Sequence, residues 1–222
     1  MHLPRRPRQK EPAERVARKG RAGSGSRRRG VPLLGAVDHG PHASLIVGLG
    51  NPGRNYAGTR HNAGRLAADR VLDKAEVLAR GKWPNGRVSL AARAGSRFLV
   101  LQPETFMNLS GRAVAPILDK YGLAPEQMIV IHDDIDLPLG EVRVKEGGGT
   151  GGHRGLNSLV ETLGDRGFRR VRIGVGRPPE GIDPADYVLS PFEAAEKETA
   201  ERAIEQAARE ALSAITGSDD GP

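Results

Sequence analysis

Three short apolar runs constrain the fold of this chain most: Leu45-Ile46-Val47, Phe98-Leu99-Val100-Leu101 and Met128-Ile129-Val130-Ile131. Each is too short for a helix of ordinary length, and each gives way to glycine or polar residues within a few positions. Short, unbroken apolar runs bounded by turn signals read as strands buried on both faces. A sheet of such strands needs helices on both sides. Leu66, Ala67, Leu72 and Leu78 sit near helical spacing and predict a helix over 63–79, with Asn62 as its cap. Segments 87–93 and 97–101 flank Ala94-Gly95-Ser96 and read as a hairpin. Ser110 caps a predicted helix over 111–121, and 141–145 reads as a short strand. Residues 147–152 are too rich in glycine for regular structure, and predicted elements follow at 154–163 (helix), 170–176 (strand) and 191–215 (helix). The expected fold class is α/β: one domain over 44–222, with a mixed, mostly parallel central sheet packed between helices.

Composition separates this domain from what precedes it. The chain has 222 residues and a formal net charge of +7. Residues 1–43 hold eleven Lys and Arg against three acids, which leaves the remainder near −1. The basic character therefore belongs to the first 43 residues, and any nucleic-acid site in the domain must be a local patch. That segment reads as a basic, disordered extension, with an RNA-attracting tail and a targeting segment as alternatives. There are no cysteines, so disulfides and thiolate chemistry are excluded. No apolar run approaches the roughly 18 residues that a membrane helix needs.

Gly48-Leu49-Gly50-Asn51-Pro52-Gly53 fits the G-x-G-x-x-G spacing of dinucleotide loops. Such a loop must open directly into a helix whose N–H groups meet the pyrophosphate. Pro52 removes one of those N–H groups, and residues 54–60 delay the helix. The glycines are better read as a tight turn or a place of close packing. That reading leaves Asn51, Arg60, His61 and Asn62 to be explained. Polar residues of this kind recur after the other runs: Asn108 follows the strand 97–101, and Asp133 follows the strand 128–131. In open α/β sheets, ligands bind at the carboxyl ends of parallel strands. Two amides, a carboxylate and His61 would then meet in one crevice. A histidine with an aspartate is the minimum for a general base held in one tautomer. Asparagine can hold a carbonyl or a water. No cofactor or metal is needed for such a site.

Five motifs in register carry a resemblance: "LIVGLGNPGRNYAGTRHNAG", "PETFMNLSG", "IHDDIDLPLG", "GGGTGGHRGLNSL" and "RRVRIGVGRP". Together they resemble the bacterial peptidyl-tRNA hydrolases, from about Leu45 to the C-terminal helix. The resemblance implies a phosphorylase/hydrolase-like α/β fold. It implies hydrolysis of the ester between a peptide and the 3′ end of tRNA, without metal, by a cytoplasmic enzyme that is mostly monomeric. Position by position, it makes His61 the catalytic base and Asp133 its carboxylate partner. Asn51 and Asn108 become amides that hold substrate, with Asn62 beside them, and Tyr56 and Met107 line the site. Lys145 and Arg172, with Arg143 as a third candidate, become cations for tRNA phosphate. Where the family often has Asn after the histidine of the glycine-rich loop, this chain has Arg154. Arg154 can donate to an oxyanion but cannot accept a hydrogen bond from water.

Two other classes fit parts of the pattern. A metallohydrolase would draw on His61, His132, His153 and the acids at 133–136, though without a helical H-x-x-x-H spacing. A non-enzymatic RNA-binding relative of the same fold, of the splicing-factor kind, would share the motifs. Several residues also have plainer readings. Asn51 before proline and Asp133 near Asp134 and Asp136 suit turns, Asn108 suits a helix cap, and Lys145 and Arg172 suit a solvated sheet edge.

Overall fold

The structure is a computed structural model, which describes residues 44–217. The segment 1–43, with its predicted extension, lies outside the described residues. The described chain forms β1 (Leu45–Gly48), α1 (Ala63–Asp73), β2 (Glu76–Trp83), β3 (Gly86–Arg93), β4 (Ser96–Pro103), α2 (Gly111–Tyr121) and β5 (Met128–Asp134). It continues with β6 (Val142–Glu146), α3 (Arg154–Leu163), β7 (Arg169–Gly174), α4 (Pro184–Val188) and α5 (Lys197–Thr216). Seven strands make one sheet in the order β2-β3-β4-β1-β5-β7-β6. The central pairings β4–β1, β1–β5 and β5–β7 are parallel, and the outer ones, β2–β3, β3–β4 and β7–β6, are antiparallel. The sheet is mixed, as expected, but not mostly parallel: three of its six pairings are parallel, all in the middle, because the β2–β3–β4 meander and β6 add antiparallel strands at the two edges.

Burial follows the sequence pattern. β1 is buried throughout, and β5 is buried until Asp134. One face of the sheet packs through Leu45, Val47, Leu101 and Val130 on Val114, Ile117, Leu156 and Leu159 of α2 and α3. The other packs through Ile46, Val100, Ile129 and Ile131 on Ala67, Val71, Ala207 and Leu212 of α1 and α5. Two glycines set how closely α1 approaches. A Cβ on Gly64 would lie 2.2 Å from the Ile131 carbonyl oxygen, and one on Gly48 would lie 2.5 Å from the Ala68 Cβ. The first turn of α1 therefore rests directly on β5, two residues before Asp133. This contact brings the residues that precede α1 to the strand ends.

The structure corrects two expected boundaries and adds an element. The helix predicted over 63–79 ends at Asp73, and residues 76–83 form β2 instead. Pro84-Asn85-Gly86 is the signal that the helical spacing masked. Asn85 takes φ 62° and turns β2 back onto β3. The C-terminal helix starts at Lys197 rather than 191, because the backbone oxygens of Ser190 and Pro191 accept hydrogen bonds from Arg60. α4 was not foreseen, although Asp183 caps it and Pro184 opens it. Asn62 and Ser110 occupy the predicted cap positions, but neither side chain caps its helix. The Ser110 hydroxyl donates instead to the Met107 carbonyl.

Candidate active site

The carboxyl ends of β1, β4 and β5 open into a cavity of about 550 Å³. Asn51, Tyr56, His61, Met107, Asn108, Asp133, His153 and Arg154 all line it. Of the predicted site residues, the structure thus brings seven together here. Asn62 and the three candidate tRNA cations lie elsewhere.

His61 sits in the single-turn 3-10 helix Arg60–Asn62, immediately before α1. Its Nδ1 lies 3.0 Å from both oxygens of Asp133. A carboxylate accepts, so Nδ1 donates to it, and Nε2 is the ring nitrogen left to the cavity. His153 approaches the same carboxylate from the far side. Its Nε2 donates to Asp133 Oδ1 at 3.1 Å, while its Nδ1 accepts from the N–H groups of Gly155 and Leu156 and so caps α3. The capping fixes the tautomer of His153, just as Asp133 fixes that of His61. Asp133 is 2% exposed. Burial alone would push its carboxyl up, but the imidazoles of His153 and His61 outweigh it and hold the group well below the usual carboxylate range. It is an anion throughout the physiological range.

His132 faces away from the cavity, as strand alternation implies, but it still touches this cluster. Its Nδ1 donates to the Asp133 backbone oxygen at 2.7 Å, and its ring stands edge-on to His153 with centroids 5.0 Å apart. Its buried Nε2 has no partner among the described residues. Burial, helped by His153, pushes its pKa down to about 3, so it stays neutral.

Asn51 is held on both sides. Its backbone N–H donates to Asn62 Oδ1 at 2.8 Å, and Asn62 Nδ2 donates back to the Asn51 carbonyl at 3.0 Å. Its side-chain oxygen accepts from the Met107 N–H at 2.8 Å. The amide orientation is therefore set, and the group left for the cavity is Nδ2, a donor. This narrows the expectation that Asn51 both donates and accepts. Asn62 is corrected too: it is 1% exposed, lines no part of the cavity and acts through Asn51. Asn108 is exposed, and its side chain has no hydrogen-bond partner among the described residues. Met107 packs its sulfur against Gly155, where a Cβ would come within 2.5 Å of it. Arg154 is exposed at the rim and has no ion pair among the described residues.

The basic residues form a separate group. β6 and β7 place Arg143 opposite Arg172, and Lys145 opposite Arg170. Arg172 donates to Asp134 at 2.7 Å, and Arg143 pairs with Glu141. Lys145 has no carboxylate partner among the described residues.

Several residues that shape the site were missed or left unweighed by sequence reasoning. His153 was visible as a histidine after the glycine-rich loop, but nothing local ties it to a carboxylate 20 residues earlier. Arg60 is 2% exposed and joins the His61 turn to the far wall of the cavity. It donates to Ser190, Pro191 and Glu196, and its guanidinium lies 4.2 Å from the centre of the Tyr187 ring. That wall, Asp183 to Leu189, belongs to the unforeseen α4.

A metal ion has one possible seat among the described residues. His61, Asp133 and His153 offer ligand atoms within 4.8 Å of one another, whereas His132 does not join them. A cation there would replace the two protons that now join the imidazoles to Asp133.

An imidazole oriented by a buried carboxylate, with a fixed amide donor on the same open cavity, points to a class: a hydrolase built at the strand ends of a mixed α/β sheet. Comparison with known proteins makes this specific. The sequence model of the peptidyl-tRNA hydrolase family matches residues 45–220, and the chain belongs to that family. It is 47% identical to the peptidyl-tRNA hydrolase of Frankia alni over 161 residues, which covers 72% of this chain and 81% of the relative. It is 48% identical to that of Mycobacterium tuberculosis over 165 residues, 74% of this chain and 86% of the relative. The crystal structure of the Acinetobacter baumannii peptidyl-tRNA hydrolase superposes with a TM-score of 0.74 at 36% identity, covering 82% of this chain and 92% of that one.

Proposed function

We propose that the chain hydrolyses the ester that joins a peptide to the 3′ end of tRNA, with His61 as general base. The observation that carries this reading is the seating of His61: Nδ1 on Asp133 at 3.0 Å and Nε2 left to the cavity. In the first step His61 Nε2 takes a proton from water as the water oxygen attacks the ester carbonyl. The carbonyl becomes an oxyanion. Asn51 Nδ2 is a preset donor for it, and the Arg154 guanidinium adds positive charge at the rim. Asn108 keeps an acceptor as well as a donor, so it can hold the attacking water. Asp133 stabilises the imidazolium of His61 without taking its proton, and His153 keeps Asp133 in place. When the tetrahedral centre collapses, His61 returns the proton to the departing ribose oxygen, and a free peptide acid and tRNA result.

Tyr56 and Met107 form part of the wall around the reacting ester. Arg143, Lys145 and Arg172 lie beyond the cavity on β6 and β7 and suit phosphate contacts away from the chemistry. The reading is tested by steady-state cleavage of N-blocked aminoacyl-tRNA with wild type and Asp133→Asn. The variant keeps the shape but presents the wrong partner to Nδ1. We expect kcat to fall by about 10²–10⁴-fold. A variant as fast as wild type would remove the His–Asp mechanism.

A further inference from the structure

Of the four polar residues that the glycine turn leaves to be explained, Arg60 is the one the reaction does not use. It is buried, a costly place for a guanidinium, and its Nε has no partner among the described residues. The contacts of its side chain all go to one stretch, residues 187–196. Nη1 donates to the Ser190 hydroxyl at 2.8 Å and to the Pro191 carbonyl at 2.5 Å, and Nη2 donates to the Glu196 carboxylate at 2.5 Å. The centres of the Tyr187 and Phe192 rings lie 4.2 and 5.3 Å from the guanidinium. The backbone repeats the tie: the Arg60 N–H donates to the Ser190 carbonyl at 3.1 Å, and Thr59 bridges to Pro191.

That stretch carries the far wall of the cavity, and the wall has little else to hold it. No residue from Asp183 to Pro191 is buried, so α4 has no apolar anchor of its own, and one turn of helix does not stand alone. Pro184, Ala185 and Val188 line the cavity from a shared face of α4. Tyr187 lies off that face, with its ring on Arg60 and its hydroxyl donating to the Val175 carbonyl at 2.9 Å. Among the described residues, the hydrogen bonds that leave this wall for the rest of the domain run to Arg60 and to Val175. His61 is seated separately, by Asp133 and by the close contact of α1 with β5. Loss of the Arg60 side chain would therefore release the wall and leave the base in place.

We propose that Arg60 is a positioning residue that fixes the α4 wall at a set distance from the base, so that the acyl side of the substrate is held while His61 acts. The assignment rests on the proposed function. The wall is mostly apolar, through Pro184, Ala185, Val188 and Leu189, whereas the candidate cations for RNA lie on β6 and β7. The part of the substrate that meets α4 is then the acyl chain, and a longer chain has more to lose when the wall is released.

The test compares the full-length wild type with Arg60→Met and Arg60→Lys on two substrates, N-blocked aminoacyl-tRNA and N-blocked tripeptidyl-tRNA, with amide hydrogen exchange on the same preparations. Arg60→Met keeps apolar bulk and removes every side-chain donor, while Arg60→Lys keeps the charge and some of the donors. In Arg60→Met, KM for the tripeptidyl substrate should rise about tenfold and KM for the short one by no more than about twofold, with kcat within about twofold for both. The amides of Tyr187 and Ser190, which bond to the Asp183 and Tyr187 carbonyls, should exchange at least about tenfold faster, and those of α1 should not change. Arg60→Lys should recover part of both effects. Tyr187→Phe removes the tie to Val175 but keeps a ring on Arg60. It should move KM and exchange in the same direction, so the question stays answerable if Arg60→Met does not fold. A fall in kcat at unchanged KM would overturn the proposal, because Arg60 would then act on His61. So would equal losses on the two substrates, which would make Arg60 a support of the fold alone, and so would exchange at α4 that ignores the substitutions. A wild type that cleaves neither substrate would instead defeat the proposed function, while amide exchange would still show whether Arg60 holds the wall.

Discussion

At the scale of residues, Asp133 is the centre of the account. One buried carboxylate accepts from two imidazoles, and each histidine is held by a second constraint, His61 by its place before α1 and His153 by capping α3. Asn51 is as constrained, which makes its variant informative. Asn51→Asp keeps the acceptor for the Met107 N–H and replaces the donor facing the cavity with a charged acceptor. We expect kcat to fall by about 10²-fold, with little change in melting temperature. An equal loss of both would mean that Asn51 matters for folding rather than for the reaction.

His132 supplies a test by pH. Its folded pKa of about 3 lies below the unfolded value of about 6.5, so the unfolded chain binds the extra proton between those limits. Its contribution to stability is complete above about pH 6.5 and is lost as pH falls, by about 1.4 kcal/mol per unit. Urea unfolding at pH 6.5 and pH 5 should differ by about 2 kcal/mol from this residue alone. His132→Phe, which keeps a ring against His153, should remove that part of the difference. An unchanged pH dependence would show that His132 is not the group responsible. Asp133, with its pKa depressed, acts in a separate window. Its contribution is present above the unfolded carboxylate value and is lost only at more acid pH.

At the scale of elements, the contact of α1 with β5 holds the site together. Gly64→Ala would drive a Cβ into the Ile131 carbonyl, a backbone atom that cannot swing aside. We expect a loss of about 1–3 kcal/mol in stability and reduced turnover, because His61 would be lifted from Asp133. Denaturant unfolding and kcat measured on the same preparation check both. A stable, fully active variant would show that α1 has slack.

The same contact explains what the sequence made legible. Leu45-Ile46-Val47 and Met128-Ile129-Val130-Ile131 announce themselves as buried strands by composition alone, and Asn51 and Asp133 become candidates by following them. By itself, a histidine before a helix is ordinary; His61 became a candidate through its place beside the glycine loop, and the resemblance to a known pattern gave it the role of base. The convergence of His153 on Asp133 depends on α3 and β5 meeting in space, and no local spacing encodes that. β2 was lost because Leu72 and Leu78 mimic a helical stripe, although Asn85-Gly86 marked the turn. α4 is five residues long, below the length at which periodicity is visible. The fate of Arg60 was hidden for a different reason. A buried arginine looks like a surface arginine in sequence, and only the carbonyls that meet it reveal the difference.

At the scale of the whole molecule, charge is unevenly placed. Residues 1–43 carry the excess of cations, and the rest of the chain is near neutral. On the proposed function, substrate RNA is held by few contacts, those of Arg143, Lys145 and Arg172 on β6 and β7. KM for peptidyl-tRNA should rise with salt along a shallow slope, well below that of proteins with six to ten phosphate contacts. A steep slope that becomes shallow when residues 1–43 are deleted would assign the affinity to that segment instead. The chemistry should be indifferent to it, with kcat preserved in the deletion.

The most direct test of the central claim is single-turnover release of the blocked amino acid from N-blocked aminoacyl-tRNA, with a chelator present, for wild type and His61→Ala. The account predicts full activity of the wild type in chelator and a loss of at least about 10²-fold in the variant. Near-normal release by His61→Ala, or a wild type silenced by the chelator, would contradict it.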